Sequence, residues 1–291
     1  MTTFFQLVIS GLATGSIYAL VALGFVLVYK STDVFNFAHG NLMMLGAYFA
    51  VTTITTWALP FGLSVLVVLA AAAVVGVLIQ VILMRPLVGQ PLLITALVTV
   101  ALSLIIRSVV AIVWGTQDRV YDPPFPENVF DVLGVRISAV DLVVIGASFL
   151  VMFLFALFFQ RSSLGLYMRA TADNPEGALM TGLDANRVFL VAFGVGVVLA
   201  AAGGILLAGV RTTVTLSFGD IGLLALPAAV IGGLMSVSGA VVGGLLVGVL
   251  ENLGAGYIST QSADVVVYAF LIVIILVRPY GLMGKPAVRR V

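Results

Sequence analysis

Two stretches, "KSTDVFNFAHGNLMMLGA" (residues 30–47) and "RTTVTLSFGDIGLLALPA" (residues 211–228), lie over one another at an offset of 181 residues. Lys30 falls over Arg211, Thr32 over Thr213, Phe37 over Phe218, Leu42 over Leu223 and Leu45 over Leu226. A repeat is read before any motif, because it sets how many structural units the chain contains. Both copies sit in apolar surroundings: 62% of the 291 residues are hydrophobic and 9% are charged, and the mean hydropathy is +1.26. A soluble domain cannot carry such a surface, so the fold class expected is an all-α polytopic membrane protein.

Runs near the ~20 residues that cross a bilayer core as helix number nine. They cover roughly 5–29, 38–58, 61–84, 91–114, 138–160, 188–210, 220–235, 237–257 and 264–280. The seventh is short and carries Pro227, so a half-membrane or broken helix is expected there. The start "MTTFFQLVIS" lacks a basic n-region and reads as a retained first helix, not a signal peptide. Basic loops stay in the cytoplasm. An external N-terminus and an internal C-terminus put Lys30, Arg85, Arg161, Arg169, Arg187, Arg278, Lys285, Arg289 and Arg290 inside. Arg119, Arg136 and Arg211 then fall outside, and Arg107 lies within the membrane. Two true loops remain, an outer one over 115–136 and an inner one over 161–187. No linker divides the chain, so residues 1–291 are expected to form a single transmembrane domain.

With this topology the two repeat copies lie on opposite faces, the arrangement of an inverted-topology repeat in which interrupted helices meet near the midplane. Asn36, His39 and Asn41 in the first copy and Asp220 in the second are then candidates to satisfy backbone groups at helix starts and to line a path. Gly11, Gly15, Gly239, Gly243, Gly244 and Gly248 suit close helix packing, within the bundle or towards a second subunit. Each ionisable residue inside a span needs a partner. Arg107 and Glu251 both lie roughly 10 Å below the outer end of their spans at 1.5 Å per residue, and an ion pair between them is expected.

Several chemistries are excluded. No cysteine and a single histidine rule out disulfides, thiolate metal sites and the two-histidine zinc signatures. No Walker A sequence surrounds either lysine and no G-x-S-x-G elbow occurs, so the chain is expected to be neither an ATPase nor another enzyme. A net charge of +1 makes no case for nucleic acid. Transport against a gradient would need an ion gradient or another subunit.

The inner loop favours another subunit. "PEGALMTGLDANRV" follows "DNP", a helix-start signal with Pro175 in the first turn and Glu176 near the positive end of the helix dipole. Glu176-Gly177-Ala178 followed by Gly182 resembles the E-A-A-x-x-x-G loop with which ABC importer permeases dock on their nucleotide-binding subunits. "GLATGSIYALVALGFVLVYKSTDVFNFAHGNLMMLGAY", "GLYMRATADNPEGALMTGLDANRV" and "FGDIGLLALPAAVIGGLMSVSGAVVGGLLVGVLENL" together resemble the LivH-type permeases of branched-chain amino-acid ABC importers, over essentially the whole chain. The departures are Gly177 in place of the second alanine and the lack of the proline-containing tail of the loop pattern.

That resemblance implies a subunit of the bacterial inner membrane with the ABC importer permease fold. Its partners would be a homologous second permease, two cytoplasmic ATPases that hold the ATP and Mg, and a periplasmic protein that delivers leucine, isoleucine or valine. Asp173, Glu176, Ala178, Gly182 and Asp184 would couple the permease to the ATPases, with no metal or cofactor in this chain. Relatives of such permeases carry urea, short amides or other amino acids, and a self-contained secondary transporter is a further alternative for a chain with inverted repeats.

Overall fold

The computed structural model describes residues 2–87, 89–126, 128–132, 134–173, 177 and 184–284. Its helices are α1 (Thr2–Thr32), α2 (His39–Val51), α3 (Phe61–Ile79), α4 (Leu92–Trp114), α5 (Ala139–Arg161), α6 (Ser163–Asp173), α7 (Ala185–Arg211), α8 (Phe218–Leu223), α9 (Ala225–Gly232), α10 (Val237–Tyr257) and α11 (Ala263–Val277). Among the described residues, seven helical stretches are long and apolar enough to cross a membrane. Of the two remaining expected spans, 220–235 is broken at Leu224, while 38–58 is helical from His39 to Thr56 with a π-helical last turn.

Both departures from a regular helix have a local cause. Pro227 has no N–H to give the Leu223 carbonyl, and its ring crowds that oxygen. The helix therefore stops at Leu223 and restarts at Ala225. In the first half, α2 passes into a π-helical turn over Thr52–Thr56. There the hydroxyls of Thr52, Thr53 and Thr55 bond back to the carbonyls of Tyr48, Phe49 and Val51, competing with the regular ladder.

α1 and α7 form the centre. In their most apolar windows 89% and 78% of residues are buried, against 22% for α4, so α4 meets the surroundings that the central pair is screened from. Each central helix packs on a helix of the opposite half: α1 on α10, and α7 on α3 and α2. Glycines permit the approach. Gly11 and Gly15 of α1 face the backbone of Gly244, Gly248 and their neighbours on α10, while Gly239 and Gly243 face Gly232 and Ala228 of α9. Small residues on facing helices let backbones touch where lipid supplies no hydrophobic drive, and here those glycines are used within the chain.

The repeat is visible in the way the helices end. α1 stops at Thr32 and α7 at Arg211. The next residues, Asp33 and Thr212, take the left-handed conformation at φ 56° and 55°, and their N–H groups bond to the carbonyls of Tyr29 and Ala208, each at 2.8 Å. A new helix then starts at His39 and at Phe218. These landmarks correspond at an offset of 179 residues, two fewer than the sequence alignment gave. The correction pairs Gly40 with Gly219 and Asn41 with Asp220. Phenylalanine and leucine recur too often in apolar sequence to fix a register, whereas a cap does.

The two copies run in opposite directions. β1 (Arg119–Val120), which follows α4, pairs with β4 (Thr213–Val214), which follows α7. The hairpin β2 (Val129–Val132) with β3 (Val135–Ser138) lies in the same α4–α5 connection, and Gly134 there sits against the start of α1 at Thr2. The end of α7 and the beginning of α1 therefore share one face, with Arg119, Arg136 and Arg211.

Candidate translocation site

The two helix starts, α2 and α8, meet each other. Gly40 stands against the Gly219 carbonyl, and a Cβ built on Gly222 would lie 2.7 Å from the Cα of Gly40. Only glycine on both sides permits this, since any side chain would wedge the backbones apart. A narrow crevice opens beside the contact, lined by Phe25, Asn36, Phe37, His39, Leu223 and Leu226 among others.

Polar groups converge there from the first copy. Asn36 Oδ1 accepts from the Ala38 N–H at 3.1 Å, which satisfies one backbone donor ahead of α2 as expected. Its amide nitrogen is buried and has no partner. His39 does not cap: it is 3% exposed, its ring lies beside the Val21 carbonyl of α1 without a well-formed hydrogen bond, and it stands edge-on to Phe25 over Gly24. Asn41 does not cap either. Its Nδ2 donates to Ser103 Oγ on α4 at 2.5 Å, and its Oδ1, unpaired, presses on Gly219.

Asp220, the counterpart of Asn41, also reaches α4. Arg107 Nη1 donates to Asp220 Oδ1 at 3.1 Å and Oδ2 at 3.4 Å. This contradicts the expected pairing of Arg107 with Glu251. Glu251 on α10 lies instead beside the Tyr18 hydroxyl of α1, with Arg211 and Asp264 as its charged neighbours. Matching depth set two residues at one level of the bundle but said nothing of the direction each faces.

α4 carries the signal that would have found the true partner. Thr95, Thr99, Ser103 and Arg107 follow at intervals of four along a helix that is apolar elsewhere apart from Ser108, so they form one stripe. Thr99 Oγ1 donates to the Phe35 carbonyl ahead of α2 at 3.1 Å, Ser103 accepts from Asn41 and Arg107 holds Asp220. The stripe thus reads the break of both copies in turn.

Of the residues expected to couple to ATPases, Asp173 is the last residue of α6. Asp184 caps α7, accepting from the Asn186 N–H at 3.0 Å, and pairs with Arg187 at 3.3 Å. Glu176, Ala178 and Gly182 lie outside the described residues. No group of three or more metal-ligating side chains occurs among the described residues. Opposite the coupling end, Tyr121 in the 115–136 connection is buried, which pushes its hydroxyl pKa upward, and its N–H bonds to the Thr212 carbonyl.

Comparison with known proteins places these features in context. Residues 7–276 match the family described as branched-chain amino acid transport system / permease component. The chain is 35% identical to the high-affinity branched-chain amino acid transport system permease protein BraD of Pseudomonas aeruginosa, over 99% of this chain and 98% of that protein. It is 30% identical to the corresponding permease protein LivH of Escherichia coli, over 99% and 98% of the two chains. It is also 27% identical to the probable branched-chain amino acid transport permease protein LivH of Methanocaldococcus jannaschii, over 92% and 89%.

Proposed function

Since the chain belongs to the family of branched-chain amino acid transport permease components, we propose that it is the membrane permease of an ATP-driven importer that moves leucine, isoleucine and valine into the cytoplasm. A periplasmic binding protein delivers the amino acid to the face that carries the 115–136 connection. A second, homologous permease completes the path. Two cytoplasmic ATPases bind the ATP and Mg and do the hydrolysis, so this subunit acts as conduit and lever, with no catalytic step of its own.

The observation that carries this reading is the junction of α2 and α8. Asn36 Nδ2 and Asn41 Oδ1 are buried there without partners, the buried His39 ring has only the Val21 carbonyl of α1 beside it, and each unsatisfied group costs about 1–3 kcal/mol. A sealed membrane core would not accumulate these costs at one spot. A path that admits water or a polar substrate recovers them, which supports a wall formed by Asn36, His39 and Asn41, with the ion-paired Asp220 as their counterpart in the second copy.

Coupling follows from the length of α7. This helix has 27 residues and at 1.5 Å per residue extends about 40 Å. One end begins at the Asp184 cap beside the 161–187 segment, and the other delivers the chain to α8. Force applied by an ATPase on the segment bearing Asp173, Glu176, Ala178, Gly182 and Asp184 is transmitted through this rod to the junction. Rocking of one repeat against the other then opens the path to alternate sides.

The test is mild-detergent purification from native membranes, with mass spectrometry of what co-purifies and an ATPase assay. A second permease and Walker-containing subunits are expected, together with hydrolysis stimulated by a binding protein loaded with leucine. A homo-oligomer without ATPase would overturn the importer reading.

A further inference from the structure

The Arg107–Asp220 pair is open: its side chains are 42% and 58% exposed. It is also deep. α4 runs from Leu92 to Trp114, so Ser103 is its midpoint and Arg107 lies about 6 Å beyond it at 1.5 Å per residue. Charges facing lipid at that depth are among the costliest placements in a membrane. The exposed face must therefore meet water or protein.

The bonding pattern is incomplete in an informative way. Among the described residues, Arg107 bonds Asp220 through Nη1 alone, that one nitrogen serving both carboxylate oxygens. A guanidinium carries five N–H groups in a planar fork, so Nη2 and Nε still present donors. Arginine takes a carboxylate in the two-point manner through such an edge. Asp220, bonded from one side, retains acceptor capacity for an ammonium group. A fixed cation with free donors next to a fixed anion with free lone pairs complements a zwitterion. The hydrogen-bonded Asn41 and Ser103, one turn inward on the stripe, hold the site's floor.

Resting on the importer reading above, we propose that Arg107 and Asp220 form the site at which the permease receives the amino-acid zwitterion. The α-carboxylate docks on the free Arg107 edge and the α-ammonium on Asp220, so the pair loosens as substrate takes over its bonds. In the empty path the pair closes again, which keeps both charges compensated. The aliphatic side chain is left to Leu223, one turn along α8 from Asp220. The zwitterion is recognised here by what all amino acids share, and side-chain choice belongs to the delivering protein.

The experiment reconstitutes the complete transporter in proteoliposomes and compares wild type, Arg107→Gln, Asp220→Asn and the double substitution. Leucine uptake and ATPase stimulation by the loaded binding protein are both measured. Loss of a charge-assisted contact corresponds to a fall in uptake of about 10- to 100-fold. Each single change should show it with ATPase stimulation retained, and the double change should be at least as low. If the pair were only a structural lock, removing both charges would be tolerated better than removing one; uptake restored in the double variant overturns the proposal. Wild-type vesicles with no ATP-dependent uptake would overturn the importer reading and the proposal with it.

A second measurement does not depend on those variants assembling. The chain has no cysteine, so Ser103→Cys and Ile105→Cys are each the one reactive thiol of this subunit for a membrane-impermeant, cationic methanethiosulfonate reagent. Ser103→Cys should react and be protected by leucine delivered in the complete transporter, whereas Ile105→Cys, at nearly the same depth on the exposed apolar face of α4, should stay unlabelled. An inert Ser103→Cys, or labelling that leucine leaves unchanged, rejects the site.

Discussion

Gly15 and Gly244 bring α1 and α10 into backbone contact: a Cβ built on Gly15 would stand 2.9 Å from the Gly244 carbonyl oxygen and equally close to the backbone of Leu245. No rotamer relieves such a clash, because the obstructing atoms are main chain. Gly15→Val should separate the two halves of the molecule at their largest contact, at the upper end of the ~1–3 kcal/mol typical of overpacking. The thermal midpoint of the detergent-purified protein, followed by size exclusion, should drop by several degrees. Gly62→Val is the control, since nothing lies within 4 Å of the added atom, and an equal drop there would remove the crossing as the explanation.

Tyr18 and Glu251 form the polar contact between the same helices, although the hydroxyl and one carboxylate oxygen fall short of a hydrogen bond. Coupling is therefore expected between them and not between Glu251 and Arg107. In a double-mutant cycle on thermal stability, Tyr18→Phe with Glu251→Gln should deviate from additivity by about 0.5 kcal/mol or more, and Arg107→Gln with Glu251→Gln should add within error. The reverse pattern would reinstate the pairing that depth alone suggested.

How much of this was legible depended on which coordinate a sequence feature fixes. Pro227 marked the break in 220–235, because a missing N–H acts locally. Helix length and hydropathy placed α1, α3, α4, α5, α7, α10 and α11 for the same reason. The partner of Arg107 was misread because depth along a helix leaves its azimuth open, yet the four-residue spacing from Thr95 to Arg107 contained that azimuth. The pairing of Arg119 and Val120 with Val214 and Thr213 had no such trace. Two-residue strands carry no period, and their contact spans a sequence distance that only the packed helices close.

At the coupling end, the cap can be separated from the contact with an ATPase. Asp184→Asn keeps an oxygen for the Asn186 N–H and should leave stability almost unchanged, whereas Asp184→Ala should cost about 1 kcal/mol. Glu176→Ala and Gly182→Leu should leave the amount of permease in the membrane unaltered but lower both binding-protein-stimulated ATPase and uptake by about 10-fold or more, as for a hot-spot residue in an interface. Normal uptake by both loop variants would sink the coupling assignment.

Sidedness can be measured directly in the cysteine-free background. Arg119, Arg136 and Arg211 share the end of the bundle at which α1 begins, and from the balance of basic residues we propose that this end is outside. Asp131 is exposed in the hairpin there, while Ser163 and Leu164 open α6 beyond the far end of α5. Asp131→Cys should therefore react with an impermeant maleimide applied to spheroplasts, and Leu164→Cys only after the membrane is permeabilised. Neither change touches the α2–α8 junction, so assembly should be retained. Labelling in the opposite order would put the N-terminus in the cytoplasm and turn the Asp184 end of α7 outward. No cytoplasmic ATPase could then push on that rod, and the coupling mechanism would fail even if the family and the path were right.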